Sequence, residues 1–134
     1  MDEWRPAPDT TPSWPPDDDA FGDLVAAALE RLPAVFRERL GSVAIVVEEE
    51  PTADQLAATG ARGLLGLYQG VPRTAFGAEG APVASKITIF RGPLLRSNRT
   101  PTALARAVDE VVRHEVAHHF GIGDERLREL RSGR

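Results

Sequence analysis

Residues 100–124 read Thr100-Pro101-Thr102-Ala103-Leu104-Ala105-Arg106-Ala107-Val108-Asp109-Glu110-Val111-Val112-Arg113-His114-Glu115-Val116-Ala117-His118-His119-Phe120-Gly121-Ile122-Gly123-Asp124. Thr100-Pro101 is a helix start, with Thr as N-cap and Pro at the first helical position. The run from Thr102 to Phe120 contains no Gly or Pro. At about 100° per residue, Leu104, Ala107, Val108, Val111, Val112 and Val116 form one apolar arc. Arg106, Asp109, Glu110 and Arg113 form the polar arc opposite. The spacing predicts one long amphipathic helix packed on a core.

Within that helix the pattern is H-E-x-x-H-x-x-G-x-x-D. His114 and His118 are four residues apart, so they share a helix face and can offer two imidazole nitrogens to one metal ion. Both fall at a border between the two arcs, where a helix packed on a sheet would line a cleft. Glu115 falls inside the apolar arc. A carboxylate there is costly without a partner, and a cation is a good one. Beside the metal, Glu115 can act as general base towards a bound water. Gly121 lets the chain leave the helix, and Asp124 can then return as a third ligand through oxygen. Asp124 also suits the N-cap of a short last helix, Glu125 to Leu130. All three histidines of the chain lie in this stretch. His119 points into the apolar arc and reads as a hydrogen-bonded residue of the core.

Working outward, the 134 residues correspond to one domain with a modest core. There is no cysteine, so any metal must be held by His and carboxylate groups. The net charge of −4 is uneven. Residues 1–19 carry six acids, one base and five prolines, which predicts a disordered acidic tail ahead of a domain spanning 20–134. Trp4 and Trp14 lie in that tail, and an incidental placement is favoured over small anchors for a partner or for the domain's own surface. The body is nearly neutral, which argues against nucleic acid as a partner. No apolar run reaches the ~18 residues of a membrane span, and the acidic, Pro-broken start does not resemble a signal peptide. A cytoplasmic location is the default expectation.

The remaining elements follow from periodicity. Asp19 can cap a first helix carrying Phe21, Leu24, Val25, Ala28 and Leu32. Pro33 interrupts it, Ala34 to Leu40 continues, and Gly41 ends the pair. Val43 to Val47 is a buried strand closed by Glu48-Glu49-Glu50 and Pro51. The three acids read as a solvated strand end, since alternate side chains of a strand point to opposite faces. Thr52 to Gly60 holds a short helix around Ala53 to Ala58. Gly63 to Gln69 is a second strand weakened by Gly66, and Gly70 to Ser85 is a loop. Lys86 to Phe90 alternates and predicts a half-buried third strand, with Arg91 to Arg99 as the link to the long helix. The sum is α+β: a small sheet of about three strands, mostly antiparallel or mixed, packed with helices.

With these residues in view, the chain resembles the small bacterial zincin-like metallopeptidases that carry H-E-x-x-H-x-x-G-x-x-D. The likeness runs from about Phe21 to Leu130. It rests on His114 to Asp124, and more loosely on Leu65 to Gly70 and Ile87 to Pro93. It implies Zn2+ as cofactor, His114, His118 and Asp124 as metal ligands, Glu115 as general base, and a peptide or protein substrate. In larger zincins an edge strand aligns the peptide, and by analogy Lys86 to Phe90 is the strand expected to do so. The motif supplies no oxyanion donor; Tyr68, Arg73 and Arg91 are candidates, although each also reads as a structural or solvated residue. Two other readings compete. A zinc-dependent nuclease family in ribosomal RNA maturation has a motif of similar outline, but with a third His at the end and no acid at the position of Glu115. A non-catalytic zinc-stabilised module that binds a partner would have no need of Glu115 and would close with a fourth ligand.

Overall fold

The computed structural model describes residues 14–41, 43–59, 64–70 and 85–122. Helices α1 (Asp18–Glu30) and α2 (Ala34–Arg39) precede strand β1 (Ala44–Glu48) and helix α3 (Ala53–Thr59). Strands β2 (Gly66–Gln69) and β3 (Lys86–Phe90) follow, then helices α4 (Arg91–Ser97) and α5 (Pro101–His119). The expected α+β architecture is present, and α5 is the long helix that carries the motif.

The sheet is mixed, in the order β1-β3-β2. β1 runs parallel to β3, with Ile45 opposite Ile87 and Val47 opposite Ile89. β2 runs antiparallel to β3, with Gly66 opposite Ile89 and Tyr68 opposite Ile87. This corrects two expectations for Lys86 to Phe90. It is the central strand and not an edge, and it is buried on both faces: Ile87, Thr88, Ile89 and Phe90 are each 0% exposed. Alternating Ile-Thr-Ile suggested a wet face because Thr is polar, yet Thr at a central position is also a β-branched filler. The edge strand beside α5 is β2.

The core forms where α5 lies against α1 and the sheet. Leu104, Val108, Val111, Val112 and Val116 of α5 meet Phe21, Val25, Ala28 and Leu32 of the first helical segment, with Ile87 and Ile89 from β3. Burying each of these Leu, Val, Ile and Phe side chains contributes about 1.5–3 kcal/mol, so the arc read from the sequence is the main cohesive surface. Arg31, the C-cap of α1, ties the two helices at the rim through its Nη2 to Asp109 Oδ1 at 2.7 Å.

The caps fix the helix ends. The Thr100 hydroxyl accepts from the Ala103 N–H at 3.1 Å, with Pro101 in the first turn. α1 is capped by Asp17, whose carboxylate accepts from the Ala20 N–H at 2.8 Å, in place of the expected Asp19. Trp14, 42% exposed, lines an apolar pocket of about 230 Å³ with Ala20, Leu24 and Leu104. The sequence predicts only a link over Arg91 to Arg99, whereas Arg91–Ser97 is helical. Here Pro sits in the first turn, where its missing N–H costs nothing, and Gly92, Pro93 and Leu94 are buried. Glu49 and Glu50 are ion-paired beyond the strand end: Arg91 Nη1 lies 3.0 Å from Glu49 Oε2 and Arg96 Nη1 lies 2.7 Å from Glu50 Oε2.

Candidate metal centre

His114, Glu115 and His118 project from the last two turns of α5, and each has a ligand atom within 4.8 Å of the others. The i, i+4 spacing brings the two imidazoles together, with ring centroids 4.6 Å apart in an edge-to-face arrangement. His118 Nδ1 lies 3.4 Å from Glu115 Oε1. His114 and His118 are half-buried and Glu115 is buried at 7% exposure, so the group faces a partly desolvated space.

Burial pushes the Glu115 carboxyl above the ordinary glutamate range. His118, His114 and a hydrogen bond from the Tyr68 backbone N–H oppose that shift without cancelling it. The register explains how this N–H is available. Leu65 O accepts from the Phe90 N–H at 3.0 Å. Alternation in an antiparallel ladder then turns the backbone groups of Gly66 and Tyr68 outward from β2, away from β3.

The helix ends just beyond the cluster. Gly121 has a positive φ of 79°, the Gly121 N–H bonds to His118 O and the Ile122 N–H to Ala117 O, both at 2.9 Å. This pair of bonds is the Schellman arrangement, in which glycine takes the left-handed position, as Gly121 was expected to do. Asp124, the expected third ligand, lies outside the described residues, as do Arg73 and the expected helix from Glu125 to Leu130. Among the described residues the set is therefore His114, Glu115 and His118.

The other predicted residues are placed as follows. His119 is 2% exposed, and its Nδ1 lies 3.3 Å from the Tyr68 hydroxyl, matching its reading as a core residue. The Tyr68 hydroxyl also lies 3.3 Å from Ser85 Oγ, so it is engaged away from an oxyanion role. Arg91 is committed to Glu49 and to the carbonyl of Pro16, at 2.6 Å. Sequence reasoning missed the part played by β2. Its signal was Gly66, since a glycine inside a strand marks close approach of another backbone or side chain.

A metal ion suits this cluster: two imidazoles on one helix face offer nitrogens to a borderline divalent ion, and the desolvated carboxylate beside them gains a cationic neighbour. A family model described as zincin-like metallopeptidase matches residues 40–134. The chain belongs to that family. The matched stretch starts at Leu40, so α1 lies ahead of it, although the likeness was expected from about Phe21. No curated protein matches the chain. In the zincin-like chain, the cluster on α5 falls inside the matched region together with all three strands. No helix among the described residues is long and apolar enough to cross a membrane.

Proposed function

We propose that this chain is a zinc-dependent metallopeptidase. The observation that carries the reading is the buried Glu115 carboxylate, held beside His114 and His118 on one helix and against the backbone of an edge strand. A structural metal site gains nothing from such a carboxylate, whereas a hydrolase needs a base there.

His114 and His118 would hold the ion, with Asp124 as the third ligand. When bound, zinc supplies a Lewis acid that acidifies a water and polarises a carbonyl. Glu115 accepts the proton from the attacking water on its carboxylate and passes it to the leaving amine. Its place beside both imidazoles puts the carboxylate within reach of a water held there. His118 Nδ1 helps hold the carboxylate in place. β2 takes over the aligning role first expected of Lys86 to Phe90, because it is the edge strand packed against α5. An extended peptide could add along its outer edge through the Gly66 backbone and the Tyr68 carbonyl, the Tyr68 N–H being held at Glu115.

The experiment is metal analysis of purified wild type, His118→Ala and Glu115→Gln, followed by peptide hydrolysis. About one zinc per chain should be present in wild type and Glu115→Gln, and absent in His118→Ala. Hydrolysis should occur in wild type alone. Unchanged turnover in Glu115→Gln would remove Glu115 as the base, and zinc retained in His118→Ala would remove that ligand.

A further inference from the structure

Strand β2 and helix α5 touch at two points about one helical turn apart. At the first, Gly66 faces α5 so closely that a Cβ there would lie 2.5 Å from Val111 Cγ1 and 3.2 Å from Glu115 Cγ. At the second, the Tyr68 hydroxyl meets His119 Nδ1 at 3.3 Å, and the two rings stack edge to face with centroids 5.6 Å apart. The two spacings match. Residues two apart on a strand share a face and are separated by about 6.8 Å; residues four apart on a helix are separated by about 6 Å along its axis. Gly66 and Tyr68 therefore address Glu115 and His119 in register. Between the two contacts, the Tyr68 backbone N–H reaches the Glu115 carboxylate.

We infer that Tyr68 is a positioning residue for Glu115: its side chain grips His119 and thereby holds its own backbone N–H at the carboxylate. Gly66 sets how near the strand can come, and the Tyr68 hydroxyl stops it from drifting away. Ser85 Oγ, 3.3 Å from the same hydroxyl, orients the phenol. A carboxylate on three rotatable bonds would otherwise turn towards solvent, and its orientation matters for a proton transfer that needs hydrogen-bond reach. The consequence for turnover rests on the metallopeptidase reading, whereas the clamp itself does not.

The test uses full-length protein in two states. In zinc-free protein, NMR follows exchange of the Tyr68 backbone amide in wild type, Tyr68→Phe, His119→Asn and His119→Leu. Tyr68→Phe should accelerate that amide about tenfold, the scale of one hydrogen bond, with amides around Val108 unaffected. His119→Asn keeps a polar atom near the Nδ1 position and should restore protection that His119→Leu loses. In zinc-loaded protein, Tyr68→Phe should lower kcat about tenfold with KM within about twofold and zinc content intact. An unaltered Tyr68 amide in Tyr68→Phe, acceleration spread evenly along α5, or equal behaviour of His119→Asn and His119→Leu would overturn the proposal. A wild type that cleaves no peptide but shows the stated amide pattern would sink the metallopeptidase reading and leave the clamp supported.

Discussion

Gly66 of β2 and Val111 of α5 are in such close contact that a single added methyl group would lie 2.5 Å from the valine Cγ1. Gly66→Ala should therefore destabilise the fold by about 1–3 kcal/mol, the usual cost of overpacking. Urea unfolding measures it. Adding Val111→Ala should recover part of the loss, because it removes the atom that the new methyl group meets. Full additivity of the two changes would show that the contact is not the cause.

Glu115 makes the zinc-free protein sensitive to pH. Its carboxyl is raised in the folded state, chiefly by burial. The folded state thus holds its proton to higher pH than the unfolded chain does. Below the ordinary glutamate value of about 4.3 both states are protonated and nothing is lost. As pH rises past that value and through the raised one, the unfolded state ionises more readily and stability falls. Glu115→Gln should then have a higher Tm than wild type at pH 8 without metal, and the gap should close towards pH 4. A gap of the same size at both pH values would exclude titration of Glu115 as its source.

Metal should reverse that penalty. Zinc at about 100 times its Kd should stabilise the wild type by about 2.7 kcal/mol through mass action. His114→Ala and His118→Ala should abolish the shift, and a chelator should return wild type to its zinc-free Tm. Thermal unfolding with and without zinc reads all three.

Asp124→Ala should weaken zinc binding while leaving the zinc-free Tm nearly unchanged. Calorimetric titration with zinc gives the affinity. Full affinity with a lowered Tm would instead identify Asp124 as a helix cap, whose loss costs about 0.5–2 kcal/mol.

Arg91→Ala should lower stability without altering zinc content or turnover. Its guanidinium joins Glu49 to the carbonyl of Pro16, and its side chain is only 16% exposed. Denaturant unfolding alongside a hydrolysis assay separates the two effects. A selective loss of turnover would restore Arg91 as a donor at the site.

Most of the site was legible from local spacing. His114, Glu115 and His118 lie on one helix, and helical periodicity alone decides which of them share a face. The caps at Thr100 and Gly121 were legible for the same reason, since each depends on a few neighbouring residues. The apolar arc of α5 and the α+β class followed from periodicity as well.

Tertiary structure decided what the periodic pattern leaves open. Lys86 to Phe90 could stand at an edge or in the centre of a sheet, because alternation reports the faces of a strand and not its neighbours. Only the pairing of β1 and β2 on either side made it central. Gly66 looked like a defect until α5 was packed against it, and Tyr68 had no visible link to His119, 51 positions further along the chain. The sequence by itself determined that His114, Glu115 and His118 cluster, because they are neighbours on one helix. Which strand faces them, and what holds Glu115 in place, depended on contacts between distant segments that no local pattern encodes.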